Sequence, residues 1–363
     1  MGSGKQIGVA IIGAGFARST QVPGFRACEG ARVVAVASAH LANAESVAND
    51  FGISYFTDDW RTVIDRADVD LISIVTPPVT HREMVLSALD TGKAVLCEKP
   101  MAMNADEAHE MSDRALETGR LALIDHELRF LNGRRAAREL LHRGEIGNVL
   151  HAKLLFRSDS RADTSRAWNW WSDVRSGGGA LGAIGSHVID GFRWMLGTEI
   201  ASVSCALSTH IRERTDPISG EKNSVTSDDE ANLILKFADG PVTEGATGTA
   251  SMSMVESGLP EHRLELFGTN GALLITERGE VSRARLGRGN WEPVETDPGA
   301  LAPGLRDGGW SRGFTAFARE IITALQEGRT EVEGAATFED GYQTQLVLDA
   351  AVRANETGCR VDL

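Results

Sequence analysis

Short apolar runs alternate with helical patterns through the first third of the chain, and this predicts a parallel sheet covered on both faces. Ile7 to Ile12 is a buried-strand run, followed at once by Gly13-Ala14-Gly15 and a helical stretch reaching Cys28. Ala31 to Ala37 predicts a second strand and Ala42 to Phe51 a helix. Leu71 to Val75 and Ala94 to Cys97 predict further buried strands, with a helix from His81 to Leu89 between them. A helix from Asn104 to Thr118, capped by Asn104, leads into a strand from Leu121 to Ile124.

After about residue 126 the pattern changes. Arg134 to Leu141 still predicts a helix, but Val149 to Arg157, Ala201 to Ile211, Ala231 to Phe237, Val242 to Met254 and Arg263 to Phe267 are alternating or β-rich. Asp239-Gly240 and Asn270-Gly271 supply turns between such strands, which predicts a mainly antiparallel sheet. Phe314 to Glu327 and Phe338 to Glu356 predict two late helices packed back on the body, and the Gly-rich stretch from Leu286 to Gly309 a long loop. The expected organisation is α/β: a doubly wound parallel-sheet domain over residues 1–126, then an α+β domain over residues 127–363.

The bulk numbers narrow the function classes. A chain of 363 residues exceeds one small core, and 42% hydrophobic with 24% charged residues suits a globular protein. The net charge of −14 opposes nucleic acid and anionic membranes as partners. Cys28, Cys97, Cys205 and Cys359 form no CxxC pair and read as reduced thiols. No apolar run approaches the length of a bilayer span, and Met1 to Gln6 lead into the first strand without a signal-peptide core, so cytoplasmic residence is expected. Gly2-Ser3-Gly4-Lys5 lacks the spacing, the preceding strand and the Ser/Thr of a phosphate loop and reads as a leader. The histidines include no HExxH and no compact ligand set, so no metal is expected.

The glycine turn carries the first chemistry. Gly13 allows a tight strand-to-helix turn, and Gly15 lets a pyrophosphate approach backbone amides at the positive end of the helix. The third fingerprint position is Arg18, which can reach a phosphate itself; Phe16 and Ala17 lie in the same turn. NAD sites place Asp or Glu at the end of the second strand to hold the ribose, whereas this chain has Ser38 and His40. That favours NADP slightly; the alternative is that Ser38 caps a turn and His40 is solvated. Thr76-Pro77-Pro78 ends another strand, with His81 opening the next helix, and Glu98-Lys99-Pro100 ends the following one. A lysine at that edge can orient a substrate oxygen and ease proton movement as hydride leaves.

The glycine turn, Thr76-Pro77-Pro78 with His81, Glu98-Lys99-Pro100 and Gly185-x-His187-x-x-Asp190 occur in an order that resembles the Gfo/Idh/MocA oxidoreductases. The resemblance runs to the final helix, through Glu339-Asp340-Gly341 and Gly358-Cys359-Arg360-Val361. It implies a Rossmann domain and a second domain on an open, mainly antiparallel sheet that commonly mediates oligomerisation, hence a homodimer or homotetramer. It implies a cofactor-binding set of Gly13, Gly15, Phe16, Ala17, Arg18, Ser38, His40, Thr76, Pro77, Pro78, His81, Glu98 and Lys99 for NAD(P). Lys99 would sit beside nicotinamide and substrate, and His187 would be general base in oxidation or acid in reduction. Many members carry an aspartate four residues before the histidine; this chain has Ala183, which weakens a lysine–aspartate–histidine relay. Asp190 either orients the imidazole or serves a structural salt bridge or cap.

Trp168, Trp170 and Trp171, with Asn169 and Asp173, offer aromatic faces beside polar groups, which suits a sugar ring. Core or interface packing is the other reading for these rings. Arg129, in His126-Glu127-Leu128-Arg129-Phe130, binds a substrate oxygen or anchors the domains. The expected function is an NAD(P)-dependent dehydrogenase or reductase acting on a sugar or polyol. The alternatives are a redox-assisted glycoside hydrolase or lyase with tightly held NAD, and a non-catalytic sugar or nucleotide sensor.

Overall fold

In the computed structural model, which describes residues 5–363, the run Ile7–Ile12 is strand β1 with all its residues buried. Most of the leader, Met1 to Gly4, lies outside the described residues. A short π-helical turn, Ala17–Gln21, and helix α1 (Val22–Arg26) follow the glycine turn. Then come β2 (Ala31–Ala37), α2 (Leu41–Phe51), β3 (Tyr55–Thr57), α3 (Trp60–Ile64) and β4 (Leu71–Ile74). They are followed by α4 (His81–Asp90), β5 (Ala94–Cys97), α5 (Ala105–Thr118) and β6 (Ala122–Ile124). The short elements β3 and α3 were not expected from the sequence.

The second half contains α6 (Asn132–His142), β7 (Val149–Arg157), α7 (Ser186–Leu196) and β8 (Ile200–Ser208). A small hairpin, β9 (Glu213–Thr215) and β10 (Lys222–Ser224), precedes β11 (Glu230–Phe237), β12 (Thr243–Ser253) and β13 (Glu261–Gly268). Next are β14 (Gly271–Thr276), β15 (Val281–Arg285) and β16 (Glu292–Val294). The chain closes with α8 (Gly309–Gln326), β17 (Ala336–Thr337), α9 (Phe338–Thr357) and β18 (Val361–Asp362). The stretch expected as a long loop from Leu286 therefore holds one strand.

Two compact units result. The first comprises residues through Ala102, Asp106–Leu131 and Gly299–Tyr342; the second comprises Met103–Ala105, Asn132–Pro298 and Gln343–Leu363. This differs from a single cut at residue 126, because α8 returns to the first unit. The reason is visible in β1, whose alternate residues face opposite ways. Ile7, Val9 and Ile11 join the cluster that holds Phe314 and Phe317 of α8, while Ala10 and Ile12 join the one holding Val63, Met84 and Val85. Phe314 meets Phe25 edge-on at 5.6 Å, and Phe317 stacks on Phe130 at 4.5 Å. Burying each phenylalanine contributes roughly 2–3 kcal/mol, enough to draw a late helix back to an early sheet.

The first unit's sheet has the order β17-β6-β5-β4-β1-β2-β3, parallel from β1 to β6 with antiparallel β17 at one edge. The second unit's main sheet has the order β16-β15-β14-β13-β7-β12-β11-β8-β18, antiparallel except where β7 runs parallel to β12. Along β11, Ala231, Leu233, Leu235 and Phe237 are buried while Ile234 between them is exposed, the alternation of a sheet packed on one face. Phe237 meets Phe192 of α7 edge-on at 5.6 Å, so α7 lies in that unit's core.

Candidate functional site

In the first unit, β5, β4, β1 and β2 are sheet neighbours, so their carboxyl ends lie along one edge. That edge carries Glu98 and Lys99, Thr76 to Pro78, Gly13 to Ala17, and Ser38 with His40 in adjacent positions. It is where an open parallel sheet binds ligands.

Gly13 has φ of +118°, and a Cβ there would stand 2.5 Å from the Val75 carbonyl oxygen. Only glycine fits such a turn. A Cβ on Gly15 would meet nothing within 4 Å, so the space beside this backbone is open, as a dinucleotide's phosphates require. Phe16 is exposed and Ala17 buried at the start of the following helix. The Arg18 guanidinium is ion-paired with Asp50 and bonds Ser46 Oγ at 2.7 Å, both on α2. These bonds join two helices, and the open space for a phosphate lies beside the Gly15 backbone. Ser38 is half-buried, with its amide donating to the Thr57 carbonyl at 3.1 Å. His40 is exposed at the N-terminus of α2 and makes no side-chain cap bond.

The next two loops are tied together by His81. Its Nε2 lies 2.8 Å from the Thr76 carbonyl, and its Nδ1 lies 3.2 Å from the carbonyls of both Pro100 and Met101. The ring is wholly enclosed and burial holds its pKa below the ordinary value. The sequence placed His81 among the cofactor contacts; an enclosed ring instead positions the Thr76-Pro77-Pro78 and Glu98-Lys99-Pro100 loops. The Thr80 hydroxyl bonds that of Thr76 at 2.7 Å on the same loop.

Beside Lys99 lies a buried polar group that the sequence reading missed. Gln21 Nε2 donates to Asp125 Oδ2 at 2.7 Å and reaches Glu98 Oε1 at 3.4 Å. Gln21 Oε1 accepts from Ser73 Oγ at 2.7 Å, and Glu98 Oε2 accepts from the Lys99 amide at 3.3 Å. Burial raises Asp125 well above the usual carboxylate range, and Glu98 beside it raises it further. Burial also raises Glu98, while Lys99 pulls it back. The available signal was local: Ser73 interrupts Leu71 to Val75, and Asp125 follows an apolar strand directly.

Arg129, offered by the sequence as a substrate ligand, is paired within the first unit to Asp340 at 3.1 Å and donates to the Ala335 carbonyl at 3.3 Å. These bonds tie the buried guanidinium to the segment around the start of α9, inside the first unit.

The second unit supplies His187, Asp190, Trp168 and Trp170. A π-helical turn, Leu181–Gly185, runs into α7, and His187 and Asp190 share a face of α7 three residues apart, both buried. Ala183 falls in the π turn, so the residue four before His187 is not on a regular α-helical turn ahead of it. Gly179, two residues before this turn, has φ of +127°, and a Cβ there would collide with Asp228 Oδ1. Asp228 Oδ2 accepts the Leu181 amide at 2.7 Å, and burial pushes Asp228 up to about 6. Trp168 Nε1 donates to the Ser224 carbonyl at 3.1 Å, tethering its segment to the β9–β10 hairpin. Trp170 and Trp171 lie 5.1 Å apart, and Arg161 sits over Trp171 at 4.3 Å. Trp168 and Trp170 keep part of their surface open.

Among the described residues no group of three or more His, Cys, Asp and Glu is arranged to hold a metal ion, and no helix is long and apolar enough to cross a membrane.

Comparison with known proteins bears on the same segments. Residues 7–126 match the model of an oxidoreductase family with an NAD-binding Rossmann fold, and residues 134–274 match the GFO/IDH/MocA C-terminal domain. An uncharacterized oxidoreductase of Synechocystis is 32% identical over 268 residues, covering 74% of this chain and 71% of that protein. Levoglucosan dehydrogenase of Pseudarthrobacter phenanthrenivorans is 29% identical over 358 residues, covering 92% of this chain and 89% of that one. A solved levoglucosan dehydrogenase in complex with NADH and levoglucosan superimposes with a TM-score of 0.87 at 27% identity, covering 98% of this chain and 99% of that one. With both family regions matched in order, as the sequence segments implied, the chain belongs to the Gfo/Idh/MocA oxidoreductases.

Proposed function

We propose that the chain is an NAD(P)-dependent dehydrogenase or reductase that moves hydride between a nicotinamide ring and a hydroxyl- or carbonyl-bearing carbon of a sugar or polyol. The observation that carries this reading is Lys99 at the end of β5, on the same sheet edge as the tight turn at Gly13 and the open backbone at Gly15. Relatives named for levoglucosan and inositol oxidation support the substrate class. A nicotinamide nucleotide, which the Gly13–Gly15 turn would hold, would supply the hydride acceptor in oxidation and the donor in reduction. The chain's own residues manage the oxygen and its proton. Lys99 donates to the substrate oxygen; His187 takes the hydroxyl proton in oxidation and gives it back in reduction. Asp190, on the same face of α7, orients the imidazole. Trp168 and Trp170 offer ring faces to the C–H face of a sugar.

The finer cofactor choice follows from the end of β2. Ser38 and His40 stand where an NAD site carries a carboxylate, which favours NADP, although the solved levoglucosan dehydrogenase is in complex with NADH. Comparing kcat/KM for the two nucleotides decides it. We also infer a homodimer or homotetramer through the second unit's sheet, whose outer residues Leu150 and Ile234 are exposed; light scattering after size exclusion reads the mass.

The direct test screens sugars and polyols, levoglucosan and inositols among them, by absorbance of the reduced nicotinamide. Turnover that consumes nucleotide stoichiometrically is expected. Ala183 favours a second reading, a non-catalytic sensor of a sugar or nucleotide. Tight sugar binding with no turnover would replace the first reading with that one, and product formed without net nucleotide reduction would point to glycoside cleavage with recycled NAD.

A further inference from the structure

We propose that Gln21, Glu98 and Asp125 are positioning residues for Lys99, with the two carboxyls sharing one proton and presenting a single negative charge to the lysine. The proposal rests on Lys99 working at the nicotinamide, as argued above.

Strand pairing creates the arrangement. Cys97 of β5 lies opposite Ile124 of β6 in parallel register, so the residues that follow, Glu98 and Asp125, leave the sheet side by side. Their backbones are still held there: the Glu98 amide donates to the Ile74 carbonyl at 2.9 Å, and the Asp125 amide to the Cys97 carbonyl at 2.8 Å. One amide group, Gln21 Nε2, then faces both acids, and Ser73 fixes which way that amide points by donating to Gln21 Oε1. Gln21 and Ser73 are fully buried and Asp125 is 1% exposed.

Asp125 Oδ1 is buried with no hydrogen-bond partner. An ionised oxygen left in that state carries its full desolvation cost, and two ionised carboxylates at one amide nitrogen repel each other. A proton on the pair removes both penalties, because the protonated acid donates to the other carboxylate. The charged and titratable groups around the pair agree. Glu127 lies close enough to disfavour a second negative charge, the neighbouring Cys97 thiol stays neutral, and Lys99 is the cation that favours the first. Both acids are accordingly shifted in the direction that keeps a proton. The remaining charge has a task, since Glu98 Oε2 accepts the Lys99 amide and so fixes the backbone that carries the ammonium.

The test uses the full-length protein, Asp125→Asn and the double variant Glu98→Gln/Asp125→Asn. Infrared difference spectroscopy of the wild type at neutral pH should show a protonated-carboxyl C=O band that Asp125→Asn loses. The wild-type melting temperature should fall as pH rises above the ordinary aspartate range, and Asp125→Asn should flatten that fall, because asparagine cannot be stripped of its N–H. The double variant removes the charge, and kcat should drop about tenfold, more than KM changes, as expected for one charge at close range. No band in the wild type, or equal pH slopes in wild type and Asp125→Asn, overturns the shared proton. A folded double variant with wild-type kcat overturns the positioning role. A wild type inactive on every sugar and polyol overturns the dehydrogenase reading instead, and the infrared and melting results still decide the proton.

Discussion

The two units bury ionisable groups in opposite ways. In the first unit, two acids of similar strength, Glu98 and Asp125, meet at adjacent strand ends, and burial drives both toward the protonated form. In the second unit, His262 on β13 lies against Arg134 on α6, with the guanidinium nitrogen 3.1 Å from the imidazole Nε2. Burial, with Arg134 beside it, pushes His262 down to about 3. A guanidinium does not surrender its proton, so the imidazole stays neutral and accepts its N–H. Equal partners share a proton; unequal partners do not. The first pair also stands at a ligand-facing sheet edge, whereas the second is enclosed beside a sheet core. The polar group at the edge should therefore matter to turnover, and the enclosed one to stability.

The strongest way to break this contrast is Lys99→Ala. It should lower kcat by about 10²–10⁴-fold while nucleotide affinity, followed by fluorescence titration, changes far less. Unchanged turnover would remove Lys99 from the chemistry. His187→Ala should fall in the same range, and a normal rate would move proton transfer to another group.

A smaller effect is expected from His262→Phe. Arg134 then loses the ring nitrogen that accepts its N–H, which should cost about 1–3 kcal/mol of stability in denaturant unfolding, with little change in kcat per folded molecule. The pH dependence sharpens the point. His262 binds its proton only near pH 3 when folded, against about 6.5 unfolded. Its contribution is therefore complete above about pH 6.5 and is lost as pH falls toward 3. The slope has the opposite sign to that of the Glu98–Asp125 pair, whose raised values make stability decline as pH rises. His262→Gln should flatten the acid side of the wild-type stability curve and leave the alkaline side in place.

The smallest change in stability is predicted for Gly15→Ala, within about 0.5 kcal/mol, since its Cβ enters open space. Nucleotide affinity should nonetheless fall if, as proposed, that space takes the phosphates. Gly13→Ala, forced into a positive φ against the Val75 carbonyl, should instead cost about 1–3 kcal/mol. If both variants behaved alike, the division between a glycine for the turn and a glycine for the ligand would be wrong.

Much of this was legible in the residues themselves. The apolar runs of β1, β4 and β5, and β2 from Val33 onward, are buried on both faces and have few alternatives, so period and turn chemistry were enough to place them. Short elements such as β3, α3, β17 and β18 have only two to five residues each and carry no periodicity to read. Likewise, Gly13-Ala14-Gly15, Thr76-Pro77-Pro78, Glu98-Lys99-Pro100 and the His187 segment were visible because motif chemistry is local. The roles of Arg18, His81 and Arg129 were not. Asp50, the Pro100 carbonyl and Asp340, their partners, are 32, 19 and 211 positions away.

The sequence by itself determined the family, the order of the main apolar strands of the first unit and the residues that can do chemistry, because covalent neighbours suffice for strand, turn and motif. Tertiary structure alone decided that α8 belongs with β1, that Gln21 joins Glu98 to Asp125, and that His262 faces Arg134. Those outcomes depend on which surfaces a folded chain presses together and how little water is left between them. Desolvation is a property of an enclosed place, and no single stretch of sequence contains it.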